Sequence, residues 1–214
     1  MRKALYAMMV VALLGLIACA KPPQAEIDAA KAALQAAKAA EAAIYAPESL
    51  KAVTDKEAAL DTELATQQNK FFKSYKVATQ LTSELKQLAE KAKADAAAGK
   101  EKAKGEAEAA IVAAETGIQM AVETLKLAPK GKGSQADIAA MQGDIDAATT
   151  AIGEAKADMT AEKYLDAKSK AENVKAQAEK VCSDVKAAWE LKFPGKTFPE
   201  VKLPEAPAPA AETK

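Results

Sequence analysis

At 214 residues the chain is long enough for one compact unit or a tandem pair. Its 30 basic and 30 acidic groups cancel, so no net field steers it towards nucleic acid. It has no His, and its one arginine is Arg2; the commonest general base and metal ligand is missing, and so is the guanidinium fork that reads phosphates and base edges. Half of the residues are apolar, but most of these are Ala and only 4% of the chain is aromatic. Ala is the best helix former and has little side chain to bury, so the composition predicts an all-α coiled coil or helical bundle with helices in close contact.

The chain opens with Arg2 and Lys3, then an apolar run from Ala4 to Ile17 that ends in Leu16-Ile17-Ala18-Cys19. A run of about 14 residues is shorter than the ~20 needed to span a bilayer, and a basic start before it is the layout of an export signal. Leu-Ile-Ala-Cys resembles the bacterial lipobox. That resemblance implies that residues 1–18 are a signal peptide, that the Cys19 thiolate carries a diacylglyceryl group, and that its freed amine is acylated. It also implies that Ala20 directs the protein to the outer membrane, in the leaflet facing the periplasm. Several acyl chains at ~0.8 kcal/mol per buried CH₂ anchor a protein stably. An ordinary secreted protein with an incidental Cys19 is the alternative. The chain from Cys19 on would carry 28 basic and 30 acidic groups, a net charge of −2.

Residues 19–24 hold Pro22 and Pro23 and form a tether. A helical pattern starts near Ala25, with Ile27, Ala30, Leu34, Ala37 and Ile44 on one face and Glu41 interrupting it. Tyr45-Ala46-Pro47-Glu48 ends this helix and starts a second, on which Leu50, Val53, Leu60 and Leu64 form the stripe around Glu57. A third helix is expected from Asn69, with Tyr75, Ala78, Thr82, Leu85, Ala89, Ala92 and Ala96 stepping by three and four. Phe71, Phe72 and Tyr75 are expected to pack into the core at its start; an exposed aromatic docking site is the other reading. The pattern resumes as Ala107, Ile111, Ala114, Ile118, Ala121 and Leu125 after a phase slip across Gly99–Gly105, which predicts one long helix or two nearly collinear ones. Lys91, Lys93, Lys100, Lys102 and Lys104 alternate there with acids, as on a solvated face. Pro129 and Lys130-Gly131-Lys132-Gly133-Ser134 make a loop, without the spacing of a phosphate loop. The next helix shows Ile138, Met141, Ile145, Ala148, Ile152 and Ala155. Thr160 is the expected N-cap of the last, which carries Tyr164, Ala167, Ala171, Val174, Ala178, Val181 and Val185.

A weak repeat runs through this order. An offset of 89 relates Tyr75 and Ala78 to Tyr164 and Ala167, and Asp55–Ala59 to Asp144–Ala148; Ala46-Pro47 and Ala128-Pro129 are closer together. The expected organisation is a helical unit over 25–98, a charged junction at 99–106 and a second helical unit over 107–191, with a Pro-rich segment over 192–214. Two antiparallel three-helix units sharing one long central helix is the arrangement this favours; a single extended bundle competes with it. The Ala-rich first helix, Tyr45-Ala46-Pro47-Glu48 and the later Tyr-x-x-Ala helix resemble an uncharacterised helical domain of bacterial envelope lipoproteins. The likeness implies location and shape, and no activity.

The last segment repeats Phe193-Pro194, Phe198-Pro199 and Leu203-Pro204 at five-residue steps. Proline forbids regular helix there. A disordered tail is one reading; docking of Phe193, Phe198 and Leu203 on the bundle and their capture by a partner are the others. The chain is also similar to murein-type lipoproteins in Cys19, Ala-rich heptads and a final lysine, which implies covalent linkage of Lys214 to peptidoglycan. It departs from them in its length and its Pro-rich end. Cys182 has no internal partner once Cys19 is lipidated; a small buried thiol is the expected reading and an intermolecular disulfide the alternative. Asp144 and Asp146 lie in a helical stretch rather than a ligand loop, so no metal is expected. No Ser/His/Asp or Cys/His set exists, so no catalytic residue, enzyme activity or cofactor beyond the lipid is expected. The expected role is a structural or interaction module of the cell envelope, with a membrane, envelope proteins, peptidoglycan or a second copy as partners and nucleic acid excluded. A carrier of a hydrophobic ligand is the remaining alternative.

Overall fold

The computed structural model describes residues 21–131 and 134–203. The expected signal peptide over 1–18, Cys19, Ala20, Pro204 and Lys214 lie outside these. The described residues are all-α: six helices and no strand. They are α1 (Gln24–Ala39), α2 (Ala42–Tyr45), α3 (Pro47–Gln68), α4 (Lys76–Lys126), α5 (Ser134–Thr160) and α6 (Tyr164–Lys192). Helical structure is unbroken through Gly99 and Gly105, so the predicted long helix is a single one of 51 residues. The chain divides into two compact units between Glu101 and Lys102, inside the expected junction.

The first unit holds α1, α2, α3 and the first part of α4. Lys31 reaches Asp61 at 3.2 Å, Lys56 reaches Glu84 at 2.8 Å and Ser49 reaches Asp95 at 2.5 Å, so α3 runs antiparallel to both α1 and α4. Its core is thin, as an Ala-rich composition dictates. Ile27, Leu34, Val53, Leu60 and Leu85 supply the bulk, and Ala30, Ala37, Ala78, Ala89, Ala92 and Ala96 let the helices approach. Gly99 marks a close approach between backbones. A Cβ there would collide with the Tyr45 carbonyl oxygen, so only glycine lets α2 lie against α4.

Two expectations for this unit are corrected. The first helix does not run to Tyr45. It ends at Ala39, with Ala40 as its C-cap, because Glu41 turns left-handed (φ 60°) and its N–H bonds back to the Lys38 carbonyl at 3.0 Å. The chain then restarts as α2, which buries Ala42 and leaves Ile44 54% exposed; Glu41 breaks the stripe that Ile44 was assigned to. The third helix does not begin near Asn69 either. Residues 69–75 are a loop and α4 starts at Lys76.

The second unit holds the rest of α4 with α5 and α6. Lys156 pairs with Glu115 at 2.5 Å and Lys170 with Asp158 at 2.7 Å, so α5 is antiparallel to both neighbours. Its core falls in two clusters: Ile111, Ile152 and Val174 with their alanines, then Leu125, Ile145, Val181 and Val185 with theirs. Thr160 is not the N-cap of α6. It is the last residue of α5, and its hydroxyl donates back to the Lys156 carbonyl at 3.1 Å. Glu162 takes the left-handed conformation (φ 59°) behind it. The Glu162 N–H bonds the Met159 carbonyl and the Lys163 N–H the Asp158 carbonyl, the two bonds of a Schellman stop with Glu where Gly is usual.

Burial makes the internal repeat legible. An offset of 89 carries the buried Ala78, Thr82, Leu85, Ala89, Ala92 and Ala96 onto the buried Ala167, Ala171, Val174, Ala178, Val181 and Val185. The middle helices repeat at a different offset. Val53 and Leu60 answer to Ile145 and Ile152, 92 apart, so the match of Asp55–Ala59 to Asp144–Ala148 at 89 pairs exposed with buried positions and is not structural.

Candidate functional site

The Pro-rich segment begins where α6 ends. Phe193 lies tilted on Trp189 with centroids 4.5 Å apart, and Phe198 meets the same indole edge-on at 5.6 Å. Phe198 also packs against the cluster of Leu125, Val181 and Val185. Lys186 sits 5.9 Å over the Phe198 ring and Lys196 5.6 Å over Phe193. Gly195, at φ +78°, makes the bend that returns the chain. Phe193, Phe198 and Leu203 are half-buried. Of the three readings of this segment, the contacts of Phe193 and Phe198 match docking on the bundle, and both rings grip one tryptophan. Lys192 closes the same end by donating to the Lys130 carbonyl at 2.6 Å. Cys182 is half-buried beside that core.

The loop between α3 and α4 is the surface that sequence reasoning placed wrongly. Phe71 is 90% and Phe72 70% exposed, and the rings meet edge to face at 5.0 Å. Periodicity predicted a helix start and therefore a core. The chain instead turns at Gln67, which is buried and does the work of a bracket. Its Nε2 donates to Glu63 Oε1 at 2.7 Å and its Oε1 accepts the Ser74 N–H at 3.0 Å; the Lys70 N–H returns to its carbonyl at 3.2 Å. Tyr75 is half-buried against the core, so the aromatic trio is split, with one ring in and two out. The signal that was available is the absence of acid. No Asp or Glu occurs from Ala65 to Ser83, whereas Lys70, Lys73 and Lys76 do.

The remaining charged groups form ladders on solvated faces. Glu106 is hydrogen-bonded to the Lys168 ammonium at 2.7 Å, which holds its carboxyl below and that amine above their ordinary values. Lys56 and Gln80 do the same to Glu84, and Lys91 and Ser49 to Asp95. Asp158 raises Lys170. All are solvent-screened, so they trim stability rather than mark a reactive centre. Asp144 and Asp146 are exposed, and Asp146 accepts the Gln142 amide at 3.0 Å. No cluster of three metal-ligating side chains occurs among the described residues. None of the described helices is long and apolar enough to cross a membrane. A cleft of about 770 Å³ beside Lys130, Ser134, Ile138 and Gln142 lies open at the start of α5. An open trough with amides and a lysine along it does not shield an apolar ligand from water. No family model, curated protein or solved structure matches this chain.

Proposed function

We propose that the chain is an exported lipoprotein, held at the periplasmic face of the outer membrane by acyl groups on Cys19, and that it serves the envelope as a non-enzymatic structural or protein-interaction module. The observation that carries this reading is Leu16-Ile17-Ala18-Cys19 behind Arg2, Lys3 and a short apolar run. The start of α1 at Gln24 supports it, because only a short tether separates Cys19 from the first helix. The mutual grip of Trp189, Phe193 and Phe198 supports a tail that belongs to its own unit rather than a free lure for partners.

Cells fed an alkyne-tagged fatty acid test the reading. The protein incorporates the tag, and Cys19→Ala abolishes incorporation. Incorporation that survives Cys19→Ala, or none in the unaltered protein, would overturn it.

A further inference from the structure

We infer that the Lys70–Lys76 loop is a second, protein-borne membrane contact: Phe71 and Phe72 enter the surface of an anionic phospholipid bilayer while Lys70, Lys73 and Lys76 meet its headgroups. The two rings are the hydrophobic wedge. They are large, adjacent and the most exposed apolar side chains of the first unit, ahead of Ile44 and Val77, while its leucines and Val53 lie in or against the core. Aromatic rings flanked by lysines suit the boundary between headgroup and acyl chain. Among the described residues, no ion pair engages Lys70, Lys73 or Lys76, whereas Lys31, Lys51, Lys56, Lys91 and Lys100 of the same unit are paired at 2.6 to 3.2 Å; Lys21, Lys38, Lys86 and Lys93 are also without one, but they do not flank exposed rings. The charge complement of such a surface is an anionic lipid rather than a basic or neutral protein. The loop does not need to fold on arrival, because the buried Gln67 amide already clamps both of its ends.

Position supports the same occupant. Lys31 faces Asp61 across antiparallel helices. Gln24 lies seven residues before Lys31 and Gln68 seven after Asp61, so at 1.5 Å per residue the start of α1 is level with the end of α3. The loop therefore stands at the end of the unit from which the N-terminal tether leaves. Cys19 is five residues before Gln24, within roughly 17 Å of extended chain. The acids nearest that end are Glu26 and Asp28 on α1 and Glu63 on α3. Asp28 accepts from the Gln24 amide and Glu63 from the Gln67 amide; all three acids lie on the helices, and the loop itself carries none. The inference rests on the lipoprotein reading for which membrane is met and for the argument from the tether; the exposed rings and their lysines stand without it.

Flotation with vesicles tests it on residues 19–214 made without lipid, which contain every described helix. The protein should float with vesicles of phosphatidylethanolamine and phosphatidylglycerol, and less with phosphatidylcholine alone. Phe71→Ser with Phe72→Ser should weaken binding about a hundredfold. Lys70→Gln, Lys73→Gln and Lys76→Gln together should weaken it tenfold or more on the anionic vesicles and remove its salt dependence. Circular dichroism should be unchanged in both. Failure of the unaltered chain to float, binding indifferent to the serine pair, or rings that instead mediate self-association without floating would overturn the inference. A bare native N-terminus with flotation intact would remove the anchor and leave the loop standing.

Discussion

Gly99 and Gly105 sit six residues apart in one helix, and in the sequence both read as a flexible, charged junction. Their surroundings give them opposite consequences. A methyl at Gly99 has to push the Tyr45 backbone away, whereas nothing lies within 4 Å of a Cβ at Gly105. Gly99→Ala should lower the free energy of unfolding by about 1–3 kcal/mol through overpacking. Gly105→Ala should raise it by about 0.5–1 kcal/mol through helix propensity. Chemical denaturation of the two variants checks both signs, and equal shifts would contradict the packing of Tyr45 on α4. Periodicity found the Ala positions of α4 and α6 because a helix face repeats every three to four residues whatever it packs on. It could not find what a glycine touches from another helix, nor that Phe71 and Phe72 belong to a loop, since apolar residues next to a helical stripe look like its first turn.

Two of the helices, α1 and α5, end on left-handed glutamates, and that is why their boundaries differ from the expected ones. Sequence rules look for Gly or Asn at such stops. Glu41 and Glu162 carry no such flag, so Ile44 was assigned to α1 and Thr160 to the cap of α6. Glu162 is strained by its Cβ, at a cost of about 1–2 kcal/mol. Glu162→Gly should therefore raise the thermal midpoint, with a net gain of about 0.5–1 kcal/mol once the looser unfolded chain is counted. A lower midpoint would show that the glutamate side chain contributes more than its backbone costs. The end of α6 was legible in part. The Phe-Pro steps named the anchors, but their partner, Trp189, lay in the helix before them. Trp189 is the only tryptophan, so its emission reports the docked segment. Phe198→Ala should shift that emission to the red and make the segment easier to cut with protease; unchanged emission would contradict docking.

Among the described residues, alanine supplies most of the buried core of the first unit and half of that of the second, and ion pairs are the commonest polar contacts between helices within each unit. The carboxyls of Glu84, Asp95 and Glu106 titrate below their ordinary values of 4.5, 3.8 and 4.5, so the stability they add is complete above those values and is lost as pH falls through the lowered ones. Lys51, Lys168, Lys170 and Lys180 titrate above 10.5, so their share is complete below that value and is lost as pH rises through the raised ones. With no histidine between these windows, the thermal midpoint should be flat from about pH 5 to 8 and fall on both sides. Salt should flatten the two flanks. A step near neutral pH would contradict this charge map.

The intact mass of the protein extracted with detergent from the cells that make it bears on the proposed anchor most directly. A chain that begins at Cys19 and is heavier than residues 19–214 by a diacylglyceryl group and an amide-linked acyl chain is the expected result. A chain that retains residues 1–18, or one whose first residue is unmodified, would contradict it.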